Sequence, residues 1–335
     1  MSDHCRFRSI VLRQPRIRLV AMRLLCFGLA FSTTVWGAES KDWLGFRGDG
    51  SSSASGKAPD RLAIGDNSNV AWQLAMPGRS VAAPIVVGDL VVTTSSSGQD
   101  GEILHVSGVG LGDGQLRWEQ TFRATGRPYC HPTSANAAPS PVSDGERILA
   151  FFSSNDLVCL SREGDLLWYR GLGYDYSKAG NDIGMASSPV IADGVVIVKV
   201  EAQGDSFAAA IDLETGKNVW RIKRPQDANW SSPIVVERPD TSNEVILQSR
   251  EDVVAVEVSS GQQRWTSDEA GSAIASPTAA NGLLLLPGNE VVALDIGGSA
   301  STPQVAWRNG KLSPRNASIA ATADRVYSLK GSVLV

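Results

Sequence analysis

The chain has 335 residues, of which 42% are apolar and 20% charged, with a formal net charge of −4. Beyond an arginine-rich leader, 25 basic residues stand against 34 acidic ones, a balance that argues against nucleic acid or an anionic membrane as the main partner. Only two of the four cysteines, Cys130 and Cys159, lie outside that leader, which excludes a disulfide-dense scaffold and leaves one disulfide or a buried free thiol as the alternatives.

Residues 1–37 read as a signal peptide. Arg6, Arg8, Arg13, Arg16, Arg18 and Arg23 form a basic n-region, and 24–31 is an apolar run too short to span a membrane. Trp36-Gly-Ala38 or the residue before it offers a cleavage point. A periplasmic or secreted location is therefore predicted, with no integral membrane domain. Residues 38–68 form a second segment, in which Trp43 and Phe46 flank Arg47 and 51–56 is a Ser-rich linker. Two aromatics around one Arg make a structural plug, expected to pack on the rim of the following domain.

That domain, 69–335, is repetitive. Its clearest unit runs from Ser188 to Trp220: four short β-rich runs separated by turn chemistry, with Asp193-Gly194 as a tight hairpin. Tryptophans close successive units at Trp72, Trp118, Trp168, Trp220, Trp265 and Trp307, spaced 46, 50, 52, 45 and 42 residues apart. Pro84, Pro141, Pro189, Pro233 and Pro277 repeat in the first runs, preceded by Ala83, Ser140, Ser188, Ser232 and Ser276. A sixth unit starts near Ala317-Ser-Ile and lacks the proline. Four strands in a period in the forties signal propeller blades, because such a unit cannot bury both faces alone. The fold class is all-β.

Ala210-x-Asp212-x-x-x-Gly216-x-x-x-Trp220 resembles the tryptophan-docking motif of the pyrroloquinoline-quinone-type (PQQ-like) β-propeller repeat. Ala255-x-Glu257-x-x-x-Gly261-x-x-x-Trp265 repeats it. Before Trp118 the first slots hold Gly108 and Gly110. Before Trp168, Gly164 is kept while the Asp slot falls on Leu160 or Ser161. After Ala293-Leu-Asp295 an insertion displaces Trp307. Trp43-x-x-Phe46-Arg47-Gly48 also resembles the opening of an exported group of these proteins. The resemblance implies a ring of seven or eight blades whose tryptophans, Trp118, Trp168, Trp220, Trp265 and Trp307, dock between neighbours. About six units are present. Residues 69–74 read as a lone outer strand that would close a six-bladed ring by pairing with 333–335; the expectation favoured here is instead an open arc with an exposed final edge.

Two insertions interrupt the period, 123–138 and 171–182, and such loops are where repeat folds place recognition. The candidate binding residues are Tyr129, His131, Tyr174, Asp175, Tyr176, Asn181, Asp182 and Trp230. Cys130-His131 and the distant His105 lack the spacing of a zinc site, and no Gly-x-Ser-x-Gly, P-loop or dinucleotide fingerprint occurs. The quinoprotein dehydrogenases that share the repeat hold their quinone between adjacent cysteines and a tryptophan, with calcium and an Asp base; no two cysteines are adjacent here. The expectation is therefore a cofactor-free, non-catalytic binding or scaffolding module of the cell envelope, similar in fold to the propeller family of the outer-membrane assembly machine. Its partner is expected to be another envelope protein or a glycan. A PQQ- and calcium-dependent dehydrogenase is one alternative, and a carbohydrate-binding propeller using Tyr174, Tyr176 and Trp230 is another.

Overall fold

The computed structural model describes residues 42–48, 50, 52–54, 70–180, 182–239, 241–298 and 302–335. The leader with its cleavage point, most of the 38–68 segment, Asn69 and the candidate Asn181 lie outside them. Five four-stranded antiparallel sheets follow one another, each with its strands paired in chain order. They occupy 85–123, 142–171, 190–223, 234–267 and 278–309 and are called blades one to five.

Blade three shows how the residues make the unit. Its strands are Val190–Ala192, Val195–Val200, Phe207–Asp212 and Asn218–Lys223. Asp193 and Gly194 both have positive φ, 48° and 77°, the conformation that a two-residue hairpin needs and that Asp and Gly accept. At the same end of the unit Asp212 accepts from Thr215 N (2.8 Å) and Thr215 Oγ1 (2.6 Å), fixing the turn into the outer strand. These hydrogen bonds, the one from the Thr215 hydroxyl first, hold the exposed Asp212 carboxyl below its ordinary pKa.

The docking motif becomes geometry at the seams. In each blade the tryptophan pairs across the ladder with the motif's first slot: Gly108 with Trp118, Cys159 with Trp168, Ala210 with Trp220, Ala255 with Trp265 and Ala293 with Trp307. A register shift follows each pair. The Asp slot of blade two is thereby Ser161, whose hydroxyl accepts from Asp165 N. The loop insertion before Trp307 leaves its pairing intact. Each indole then crosses to the next blade. Trp118 Nε1 donates to Arg162 O (3.0 Å), Trp168 to Leu213 O (2.8 Å) and Trp220 to Val258 O (2.7 Å). The motif glycine is the surface on which the ring lies: a Cβ on Gly216 would stand 2.9 Å from the Trp168 ring, and one on Gly261 2.7 Å from that of Trp220. The hydrophobic clusters sit at the seams. Phe151, Cys159, Val196, Val198 and Ala209, all fully buried, fill the one between blades two and three.

A second set of contacts runs along the repeated residues before the prolines. The backbone N–H of Ala83 donates to Ser140 Oγ, that of Ser140 to Ser188, Ser188 to Ser232, Ser232 to Ser276 and Ser276 to Ser318, all at 2.8–3.0 Å. Each small residue thus spends its N–H on the next blade's hydroxyl. The chain of bonds reaches the sixth unit through Ser318.

The sixth unit consists of two two-stranded ladders, Ala320–Ala321 with Val326–Tyr327 and Leu329–Lys330 with Val333–Leu334. Residues 70–74 form no strand, contrary to expectation, and the ladder of Val333 and Leu334 is with Leu329–Lys330. Trp72 nevertheless docks as the others do, donating from Nε1 to Leu111 O at 2.8 Å against Gly114. The Trp43–Arg47 segment also departs from expectation. It lies across the innermost strands rather than on the rim. Trp43 bridges Val86, Ser143 N donates to Leu44 O, and the buried Arg47 donates to Pro277 O (3.0 Å), Thr278 Oγ1 (2.7 Å) and Ile319 O. A long guanidinium can satisfy carbonyls from separate blades at once, which makes it an axial peg.

Candidate functional site

Antiparallel pairing in every blade puts the turn between its second and third strands on the same side as the connection to the next blade. Both insertions therefore emerge on one face, and hydrogen bonds join the first to the end of the second and the second to the turns of blades two and three. His131 N donates to Ile183 O (3.0 Å), Leu172 N to Asn155 O (2.9 Å) and Asp205 N to Lys178 O (3.1 Å). The Trp230 indole donates to Gly184 O (2.7 Å), tying the connection before blade four to the second insertion. Between the insertions lies a cleft of about 350 Å³, walled by Thr125, Arg127, Tyr129, Ser153, Asn155 and Lys178 and by glycines 126, 173, 180 and 184.

The candidates divide by what they touch. Tyr129 borders the cleft, half exposed, with the Arg127 guanidinium over its ring at 5.2 Å. Tyr174, on the single-turn helix Leu172–Asp175, is 76% exposed, the most open of the large hydrophobic side chains among the described residues. Asp182 forms an exposed pair with Arg127 (3.3 Å), and Asp175 pairs with Arg170. His131 serves its own loop: Nδ1 lies 2.8 Å from Thr133 Oγ1. Tyr176 is a packing residue, 4.2 Å from Phe207 and capped by Arg221, with its hydroxyl accepting from Asn218. Trp230 acts through its tether to Gly184.

Sequence reading missed the residues that build the cleft floor. Asp156 is wholly buried and accepts from Thr125 N (3.0 Å), Thr125 Oγ1 (2.5 Å), Ser154 Oγ (2.6 Å) and Tyr169 OH (2.7 Å). This carboxylate fastens the first insertion to blade two. Burial, then the bond to Asp156, push the Tyr169 phenol above its ordinary pKa. The one available signal was Asn155-Asp156 between two β runs, a turn pair with a carboxylate at the start of a strand.

A second polar centre, also missed, lies between blades three and four. Lys199 is fully buried and donates to Asn229 Oδ1 (2.9 Å), Ser231 Oγ (2.8 Å) and Gln248 O (2.8 Å), with Glu201 Oε2 3.6 Å away. Arg224 donates from Nε to Glu201 Oε1 at 2.7 Å. Burial pushes the ammonium of Lys199 down to about 8, against the pull of Glu201. In the sequence Lys199 is a single charge in the apolar run Val195–Val200; only the tertiary neighbours reveal the network.

The remaining chemistry is spare. Cys130 and Cys159 are free, and burial raises both thiols, Cys159 to about 12, where little thiolate forms at neutral pH. His105 lies far from Cys130-His131 in the chain and hydrogen-bonds Ser97 (2.8 Å) within blade one. Among the described residues no three His, Cys, Asp or Glu converge as a metal-binding group, and none of their helices is long and apolar enough to cross a membrane. With no adjacent cysteines in the chain and no such group among the described residues, the described residues do not fit the quinone and calcium of the dehydrogenases that share the repeat.

Comparison with known proteins agrees with this geometry. A family model described as outer membrane protein assembly factor BamB matches residues 30–183 and 105–334. An outer membrane protein assembly factor BamB from Yersinia pestis is 22% identical over 222 residues, 65% of this chain and 51% of the relative, so the chain spans about half that relative's length. Among solved structures, BamB from Moraxella catarrhalis aligns with a TM-score of 0.53 at 18% identity, over 79% of this chain and 71% of that one. The quinohemoprotein alcohol dehydrogenase of Comamonas testosteroni aligns with a TM-score of 0.58 at 14% identity, over 80% and 49%. At such identities the structural likenesses establish the fold alone, a PQQ-like β-propeller. With its family match covering most of the described residues, the chain belongs to the BamB family of outer membrane protein assembly factors.

Proposed function

We propose that this protein is a non-catalytic scaffold of the cell envelope that holds another envelope protein on its loop face. The observation that carries the reading is the joining of both insertions and Trp230 on one face by His131 N to Ile183 O and Trp230 Nε1 to Gly184 O. A scaffold needs a recognition surface that differs from its repeats yet is fixed to them, and these bonds supply the fixing. The leader's composition and the family support an envelope setting, and the name of that family supports a partner drawn from outer-membrane assembly.

Two other readings have less behind them. The dehydrogenase fold is shared, but the adjacent cysteines that would grip a quinone are missing from the chain. Of the three aromatics of the glycan reading only Tyr174 is open: Tyr176 packs against Phe207 with Arg221 over both rings, and the Trp230 N–H is bonded to Gly184 O. The test is co-purification of the full chain from envelope extracts, alongside a Tyr129→Arg/Tyr174→Arg variant. Loss of co-purified outer-membrane assembly proteins at an unchanged melting temperature is the expected result. Undiminished co-purification, or dye reduction by the chain supplied with quinone and calcium, would contradict the reading.

A further inference from the structure

Each tryptophan seam joins a blade to the next one in the chain, and the serine links do the same. Segment 42–48 reaches further. The first strands of successive blades neighbour one another and so line the axis. Trp43 exchanges both backbone hydrogen bonds with Val86 on the first strand of blade one, 2.9 Å each way, and Asp42 Oδ1 accepts from Gly88 N at 2.8 Å. Leu44 O accepts from Ser143 N (2.8 Å) on the first strand of blade two. A little further on, the Arg47 guanidinium donates to Pro277 O (3.0 Å) and Thr278 Oγ1 (2.7 Å) at blade five and to Ile319 O at the sixth unit. One short stretch thus grips the first two blades by its backbone and two distant units by a single side chain.

What lets it reach both is a backbone reversal that ordinary residues resist. Arg47 has φ 64° and Gly48 φ 69°. Glycine accepts that region freely, whereas a residue with a long side chain is held there only where its surroundings over-determine it. Here Gly48 N donates to Gly45 O (3.0 Å), Gly50 N and Ser52 N to Arg47 O (3.1 Å each) and Arg47 Nε to Ser52 Oγ (2.7 Å). Gly48 lies against the Trp43 ring, where a Cβ would stand 2.9 Å away, and a Cβ on Gly45 would stand 3.3 Å from Val142 of blade two. In a repeat array each unit contacts only its neighbours, so small changes of angle add up from one end to the other. A contact across the array removes that freedom. We infer that segment 42–48 is an axial clasp, coupling blades one and two to blade five and the sixth unit and fixing the curvature between them. The clasp does not depend on which face holds a partner, so it stands or falls apart from the scaffolding role.

Hydrogen exchange on the full chain tests it with three variants. Arg47→Met keeps a long stem but removes every donor, and Arg47→Lys keeps the charge on a single donor group. Gly48→Ala leaves Arg47 in place and drives a methyl into the Trp43 ring. In Arg47→Met, exchange at 274–280 and 315–323 should quicken about tenfold, as loss of buried charge-assisted hydrogen bonds implies, with 195–200 in blade three unchanged. Arg47→Lys should fall between. The far end separates a clasp from a local tether: Arg47→Met should also quicken 84–87 and 142–144, and Gly48→Ala should quicken 315–323. Combining the two should add nothing further at either end. Curvature is read by pulsed dipolar spectroscopy between labels at Gly112→Cys in blade one and Gly310→Cys after blade five, both with open space for a side chain, in a Cys130→Ser background. The distance distribution should broaden in Arg47→Met. Faster exchange confined to the substituted end, or an unchanged distribution, would overturn the inference.

Discussion

The seam between blades two and three and the cleft above it are built from the same units out of opposite materials. The seam is repeated, apolar and dry: Phe151, Cys159, Val196 and Val198 are fully buried, and the Trp168 ring lies on the glycine of the next blade. The cleft is unrepeated, polar and backbone-lined. The seam holds blades together because its residues recur at each blade. The cleft is available for recognition because its residues recur nowhere. Stability and recognition should therefore separate under mutation.

The largest effect is expected at the docking tryptophans. Trp220 is 8% exposed and Trp265 7%, and truncating either to Ala removes a large buried ring and leaves a cavity, at a cost of about 3–5 kcal/mol. Chemical denaturation would measure it, and an unchanged midpoint would break the division between seam and cleft. Next comes Lys199→Met, which leaves the carbonyl of Gln248, Asn229 and Ser231 without their shared donor and removes a cation from Glu201, on the order of 3 kcal/mol. This substitution also carries a pH signature. Folding lowers the Lys199 pKa from 10.5 to about 8, so between those values the unfolded chain binds the extra proton. Stability of the wild type should then rise as pH climbs through that window, and Lys199→Met should flatten the rise.

Smaller still is the serine series. Ser188→Ala removes the acceptor of Ser140 N and leaves a buried N–H unpaired, a loss of roughly 1–2 kcal/mol by thermal or chemical denaturation. A loss confined to one link, with the other seams intact by hydrogen exchange, would show that the bonds act pairwise. At the bottom of the scale, Lys178→Ala on the cleft should leave the melting temperature within error, since its ammonium makes no ion pair among the described residues. A substantial drop there would mean that the cleft is a structural element after all.

Much of the seam could be read from the chain, and little of the cleft. Trp220, Gly216 and Asp212 stand at fixed spacing because each has a local role. The indole must cross to the next blade, the glycine is the surface on which an indole lies, and the carboxylate holds the turn. Repetition makes such residues visible. Even degraded copies kept the geometry, as Cys159 and Ser161 show in blade two. The lone strand at 69–74 misled for the converse reason: a strand needs a neighbour's edge, and no property of Trp72 itself says whether one is present. The plug around Arg47 was legible as a unit but not in its place, because its hydrogen bonds go to residues about 230 and 270 positions away. At the cleft, the half-exposed Tyr129 was found because its insertion interrupts the repeat period, whereas Asn155, Asp156 and Lys178 were not. Their roles arise from partners on separate loops, and a sequence does not display which loops meet.

Scaffolding through the loop face is tested most directly by photocrosslinking from two positions near blade two, in the full chain within intact cells. One probe replaces Tyr174 on the loop face; the other replaces Leu167, which is 49% exposed on the blade's outer strand. Adducts to another envelope protein from position 174, with none from 167, are the expected result. Adducts from 167 alone, or silence from 174 while the chain is folded and exported, would contradict it.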